Sequence, residues 1–153
     1  MNEIYGTLNG QNKKIAIVAA QFNEVVTKKL VKGAVTQLEK LGVSESDITI
    51  LWVPGAFEIP RITKCTIESQ KFAGVITLGA VVRGETSHFD YVCQGVTASI
   101  AEITLHSSIP VMFGILTTNT MKQAIDRAGG KAGNKGVECA NDLIEMINIE
   151  NQI

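Results

Sequence analysis

The side chains best equipped for chemistry gather in a few short segments. The densest is Arg83-Gly84-Glu85-Thr86-Ser87-His88. His88 ionises near neutrality, so it can move protons in either direction. Gly84 lets the backbone approach a ligand closely. Thr86 and Ser87 stand just before a helix-period segment, where free N–H groups and the helix dipole attract an anion. Ordinary helix capping is the competing reading. Phe22 follows an apolar run and offers either a flat face for a ring or a cap on the core. Pro54-Gly55-Ala56-Phe57-Glu58 joins a turn, an aromatic ring and a carboxylate; Glu58 serves equally as a solvated acid in a first helical turn. Arg127, one of only three arginines, precedes a glycine-rich stretch at residues 129–136. Such a stretch can cradle phosphate, but this one matches neither GxxxxGK[ST] nor GxGxxG, and a helix-ending turn explains it as well. His106 reads as a cationic partner for the end of its own helix.

These segments fall at the ends of strand-like runs. Residues 15–20 are continuously apolar, as in a strand covered on both faces. A helical stretch follows at 23–41, with Val26, Leu30, Ala34 and Leu38 on one side, Asn23 as N-cap and Gly42 just past the end. Residues 47–53, 72–82 and 110–116 form the other strands. Helices are expected from the 54–60 turn to about residue 70, over 88–107 with Val92, Val96, Ile100 and Ile103 aligned, and over 120–128 and 136–149. Alternation of this kind builds right-handed βαβ crossovers. The expected fold is α/β: one domain over residues 1–153, a doubly wound, flavodoxin-like α/β/α sandwich around a four-stranded parallel sheet. Ligands of such sheets bind beyond the carboxyl ends of the strands. Phe22, the 54–58 turn, the 80–88 segment and the region after Phe113 all lie there.

Composition removes several classes. Fourteen basic against fifteen acidic residues, with 5% aromatics, leave no basic stripe for nucleic acid. No apolar run approaches the roughly 20 residues of a membrane span, and the first residues do not read as a signal or transit peptide. Cys65, Cys93 and Cys139 are odd in number and form no CxxC pair. That argues against a disulfide framework or a cysteine zinc site and for a reducing, cytoplasmic location. No GxGxxG follows the first strand, no run of hydroxyls is there to hold a flavin phosphate, and no acidic pair ends it. The charged fraction is only 19%, against a usual 25% or so, which hints at surface covered by another subunit.

The segments together resemble the 6,7-dimethyl-8-ribityllumazine synthase family. The resemblance is carried by Phe22-Asn23, VPGAFEIP at 53–60, LGAVVRGETSHFDYV at 78–92, PVMFGILTT at 110–118, and RAGG with GNKG at 127–136. It covers essentially the whole chain in order, and the GAVVRGETSHFDYV stretch is highly specific. Gln21 and Cys139 depart from the residues common in the family; neither belongs to the chemistry. The resemblance implies condensation of 5-amino-6-(D-ribitylamino)uracil with 3,4-dihydroxy-2-butanone 4-phosphate, without metal or other cofactor. A non-catalytic flavin- or lumazine-binding relative, or a shell protein of the same fold, is the alternative; His88, Arg127 and Glu58 favour the enzyme.

Family roles then fall on particular residues. Phe22 would stack on the pyrimidine. Ala56, Phe57 and Glu58 would hold the ribityl chain and ring. Ala80, Val81 and Val82 would present backbone groups to the uracil edge. Glu85, Thr86 and Arg127 would bind phosphate, His88 would shuttle protons, and Lys135 would add a polar contact. Phe113 would wall the pocket from a neighbouring subunit. The resemblance further implies homo-pentamers with shared sites, with riboflavin synthase as a possible partner enzyme. Some members stop at the pentamer and others build sixty-subunit shells; the short glycine-rich link points toward the shell.

Overall fold

The computed structural model describes residues 1–153. Four parallel strands, β1 (Ile15–Ala20), β2 (Ile48–Val53), β3 (Gly74–Val82) and β4 (Val111–Thr118), lie in the order β2-β1-β3-β4. The helices are α1 (Glu24–Lys40), α2 (Ile59–Glu68), α3 (His88–His106), α4 (Met121–Asp126) and α5 (Lys135–Glu150). This is the expected three-layer α/β/α arrangement. The apolar run of β1 is fully buried because it is central and covered twice. Its alternate residues feed two cores. Ile15, Ile17 and Ala19 pack with Leu30, Leu38, Leu143 and Ile144 beneath α1 and α5. Ala16, Val18 and Ala20 pack with Ile59, Val96 and Ile100 beneath α2 and α3.

The connection from β1 through α1 pairs β2 on one side of β1. The connection from β2 through α2 then crosses over β1 to pair β3 on its other side. The winding therefore reverses between β1 and β3, and the connections leaving their carboxyl ends, into α1 and α3, go to opposite faces. No helix is long and apolar enough to cross a membrane.

Local differences from the sequence reading have clear causes. Asn23 is not a side-chain cap: it sits in the left-handed region at φ 62°, makes no capping bond, and donates its amide across the sheet instead. Gly42, at φ 95°, does end α1. The Gly42 N–H donates to the Glu39 carbonyl and the Val43 N–H to that of Leu38, a Schellman closure. β4 runs on to Thr118 because the ladder with β3 continues to Val82. α4 opens on Thr120 with a reciprocal capping box to Gln123 and stops at Asp126, before Arg127. The glycine-rich link is a small antiparallel hairpin, β5 (Ala128–Gly130) with β6 (Gly133–Asn134). It delivers Asn134, which caps α5 by accepting from the Gly136 and Val137 N–H groups and donates to the Lys29 carbonyl of α1 at 3.1 Å.

Burial pushes the Cys139 thiol up to about 12, so it stays neutral and packs as a small apolar group. The first turn of α5 lies directly on α1: a Cβ on Gly136 would overlap the Leu30 carbonyl. Gly136→Ala should therefore cost about 1–3 kcal/mol, because backbone, not a mobile side chain, must give way. Urea denaturation is expected to show a lower midpoint with an unchanged slope.

Candidate active site

The parting of the connections that follow β1 and β3 leaves a cleft of about 760 Å³ at the carboxyl edge of the sheet. Three chain reversals and one helix start build it. After β1, the Gln21 and Phe22 N–H groups donate to the Val53 and Pro54 carbonyls, carrying the β1–β2 pairing past the strand ends. Asn23 then turns the chain in the left-handed conformation that asparagine tolerates better than most residues. Its Nδ2 donates to the Ala80 carbonyl of β3 at 2.8 Å, while its own carbonyl accepts the Val26 and Thr27 N–H groups that start α1. One residue thus bridges the switch point, begins a helix and leaves Phe22, 71% exposed, projecting at the rim.

After β2, a single 3₁₀ turn at Ala56–Glu58 leads into α2, with Pro60 in its first turn, where proline's missing N–H costs nothing. Ala56 is buried. The Phe57 ring lies against Gly95 of α3, where even a methyl group would approach it to 2.8 Å. The Glu58 carboxylate folds back over Gly55. After β3, the exposed segment 83–88 arches to α3. The His88 N–H donates to Thr86 Oγ1 at 3.3 Å, so the hydroxyl of Thr86, not that of Ser87, serves the helix start. A Cβ on Gly84 would meet nothing within 4 Å, which leaves open space for a ligand at the backbone.

The cleft brings together Phe22, Ala56, Phe57, Glu58, Ala80, Val81, Val82, Thr86 and His88. Four expected residues do not line it. Glu85 belongs to the same loop but is exposed outside the lining. Phe113 stands on edge strand β4, and Arg127 and Lys135 sit at the α4–α5 hairpin. There the Lys135 N–H donates to the Arg127 carbonyl at 2.9 Å, and Arg127 Nη1 donates to the Gln123 carbonyl at 3.0 Å. Lys135 Nζ pairs with Glu138 at 2.9 Å, and that hydrogen bond raises the ammonium above the usual lysine value.

Gly84, expected to let the backbone approach a ligand, does line the cleft. The lining also includes Asn23, Gly55, Phe89, Tyr91 and Val92, which the sequence reading did not assign to the site. Helical spacing could have found two of them: Tyr91 and Val92 follow His88 by three and four positions and so share its face. Asn23 had no local signal, because its partner lies 57 residues away. On α3 beyond the lining, burial first and the Asp90 charge second raise the Cys93 thiol, so it stays protonated.

Apolar walls, a carboxylate, a histidine and a helix amino terminus at a switch point define a small-molecule site of a doubly wound α/β protein. The family model described as 6,7-dimethyl-8-ribityllumazine synthase matches residues 12–151. A protein of Pediococcus pentosaceus named 6,7-dimethyl-8-ribityllumazine synthase is 58% identical over 153 residues, covering 100% of this chain and 98% of its own length. The chain belongs to the 6,7-dimethyl-8-ribityllumazine synthase family.

The Asn23 bridge yields a test. Asn23→Ala should lose about 2 kcal/mol, from the missing hydrogen bond and the strained left-handed backbone together. Asn23→Gly, which keeps the backbone freedom, should recover roughly half of that. Thermal unfolding of the two variants measures the split; equal losses would assign the whole effect to the hydrogen bond.

Proposed function

We propose that this chain condenses 5-amino-6-(D-ribitylamino)uracil with 3,4-dihydroxy-2-butanone 4-phosphate to give 6,7-dimethyl-8-ribityllumazine, the penultimate step of riboflavin biosynthesis. The observation that carries the reading is the convergence of Phe22, Glu58, Ala80–Val82, Thr86 and His88 on one cleft, in a chain of this family. Phe22 stacks on the pyrimidine and the 80–82 backbone pairs with its polar edge. Ala56 and Phe57 flank the ribityl chain, whose hydroxyls donate to the Glu58 carboxylate. Thr86, with Glu85 through its backbone, meets the phosphate at the α3 amino terminus.

His88 then works as acid and base. The uracil amine attacks the ketone, and water leaves to form the imine. Proton removal beside the imine expels phosphate and leaves an enol, and protonation of its terminal carbon gives a methyl ketone. Attack of the ribitylamino nitrogen on that ketone, with a second loss of water, closes the ring. Holding both substrates together supplies much of the acceleration. His88→Ala should therefore slow turnover by about 10²–10⁴-fold without abolishing it. The lumazine chromophore reports this directly when purified protein is mixed with both substrates; a wild-type chain that forms no product overturns the proposed activity.

The complete site is further proposed to join two chains of one domain each, with Phe113, Arg127 and Lys135 arriving from a neighbour in a homo-pentamer. Support comes from what the chain leaves uncovered. Tyr5, Phe22, Trp52, Phe57, Tyr91 and Phe113 are all exposed, and only Phe72 and Phe89 are half-buried. Monomers rarely expose so much large apolar surface. Arg127→Ala should raise the KM for the butanone phosphate roughly 10- to 100-fold, the worth of a charge-assisted phosphate bond, and leave the KM for the aminouracil unchanged. Light scattering is expected to show a five-chain species or, as the short hairpin link favours, a sixty-subunit shell able to enclose riboflavin synthase. A fully active monomer would overturn the shared site.

A further inference from the structure

We propose that Arg83 is a positioning residue for this reaction, holding the loop between β3 and α3 so that Thr86 and His88 face the cleft; the proposal rests on the activity proposed above. Residues 83–88 are exposed throughout. Within the loop, the His88 N–H donates to Thr86 Oγ1 and the Asp90 N–H to the Ser87 carbonyl. Gly84 to Ser87 make no hydrogen bond to any element other than α3, so the path of the loop is set from its ends.

Arg83 fixes both ends at once. Its N–H donates to the Thr118 carbonyl of β4 at 2.9 Å, prolonging the β3–β4 ladder by one residue. Its Nε donates to Asn119 Oδ1 at 3.0 Å, just beyond β4. Its Nη2 pairs with the Asp90 carboxylate at 3.2 Å, and Nη1 reaches the other carboxylate oxygen at 3.5 Å. The guanidinium lies 4.4 Å from the Phe89 ring centroid. Phe89 and Asp90 are the two residues after His88, in the first turn of α3.

An exposed ion pair contributes little by itself. Here one planar group joins the end of β3, the end of β4 and the start of α3, and this fixes the direction in which His88 leaves the helix. Only a guanidinium supplies a fork and a stacking face together; a lysine supplies neither.

The test compares Arg83→Gln and Arg83→Lys in the wild-type and His88→Ala backgrounds. In the wild-type background both should lower kcat about 10- to 100-fold, the scale of an ångström's misplacement, and raise the KM for the butanone phosphate. The KM for the aminouracil, whose proposed contacts lie at Phe22, Glu58 and Ala80, should hold. In the His88→Ala background the further loss of kcat should largely vanish, since Arg83 acts through that side chain. Hydrogen exchange should quicken in the groups Arg83 joins, the 84–87 loop, the first turn of α3 and the residues just after β4, and not in the strands themselves. Equal losses of kcat in both backgrounds, full rescue by lysine, or unchanged exchange would each overturn the proposal. A wild-type chain without condensation activity would instead overturn the function, while the exchange result still decides whether Arg83 ties the loop.

Discussion

The hydrogen bond from Asn23 to the Ala80 carbonyl spans the one place where the sheet cannot close on itself. Between β1 and β3 the winding reverses, the chain leaving β1 into α1 on one face and β3 into α3 on the other. Apolar packing secures both faces but cannot seal the gap, because β1 and β3 no longer pair with each other beyond Ala19 and Leu78. A single amide at 2.8 Å bridges it without filling it. Its net contribution to stability is modest, about 1 kcal/mol. Its geometric consequence is larger: the left-handed turn at residue 23 puts Phe22 outward and starts α1 in the same step. The cleft is thus a by-product of topology, held open by a polar contact.

What lines that cleft explains what it lacks. The walls are apolar, the ionisable side chains are Glu58, His88 and Tyr91, and no lysine or arginine is among the lining residues. A phosphate entering it would meet a helix dipole, a threonine hydroxyl and unpaired backbone, which orient an anion but do not neutralise it. The nearest arginine in sequence, Arg83, is already engaged by Asn119, Asp90 and Phe89. That shortage supports the proposal, drawn from the family resemblance, that Arg127 of another chain completes the cleft.

Much of this was legible in the sequence, for reasons specific to each element. Buried parallel strands must be apolar on both faces, so β1 and β3 stand out as unbroken runs. The α1 stripe of Val26, Leu30, Ala34 and Leu38 is wholly buried, as its period implies. The rule that ligands bind at the carboxyl ends of strands then located the cleft before any contact was known. Features set by distant partners were not legible. Asn23 has the composition of a helix cap, and only Ala80 makes it a bridge. The 129–136 stretch has the composition of a turn; its pairing of Ala128 with Asn134 depends on Asn134 reaching Lys29 across the α1–α5 contact. Tyr91 and Val92 are a middle case: composition marks them only as further helix positions, but their spacing from His88 puts them on its face.

The hairpin between α4 and α5 also bears on how a shared site would assemble. Arg127 and Lys135 are not part of their own chain's cleft lining, yet neither is a loose surface cation. The Arg127 backbone is tied to the Lys135 N–H, its guanidinium to the Gln123 carbonyl, and the Lys135 ammonium to Glu138. The hairpin itself is locked to α1 through Asn134. Holding long side chains in fixed directions costs conformational entropy, of order 0.5–1.5 kcal/mol for each that association would otherwise have to immobilise. In this chain that cost is met during folding, by the Asn134 cap and the close α1–α5 packing, before any second chain docks. Association of the proposed kind would then present charges already aimed, and a phosphate bound at such an interface would not need to reorganise either partner.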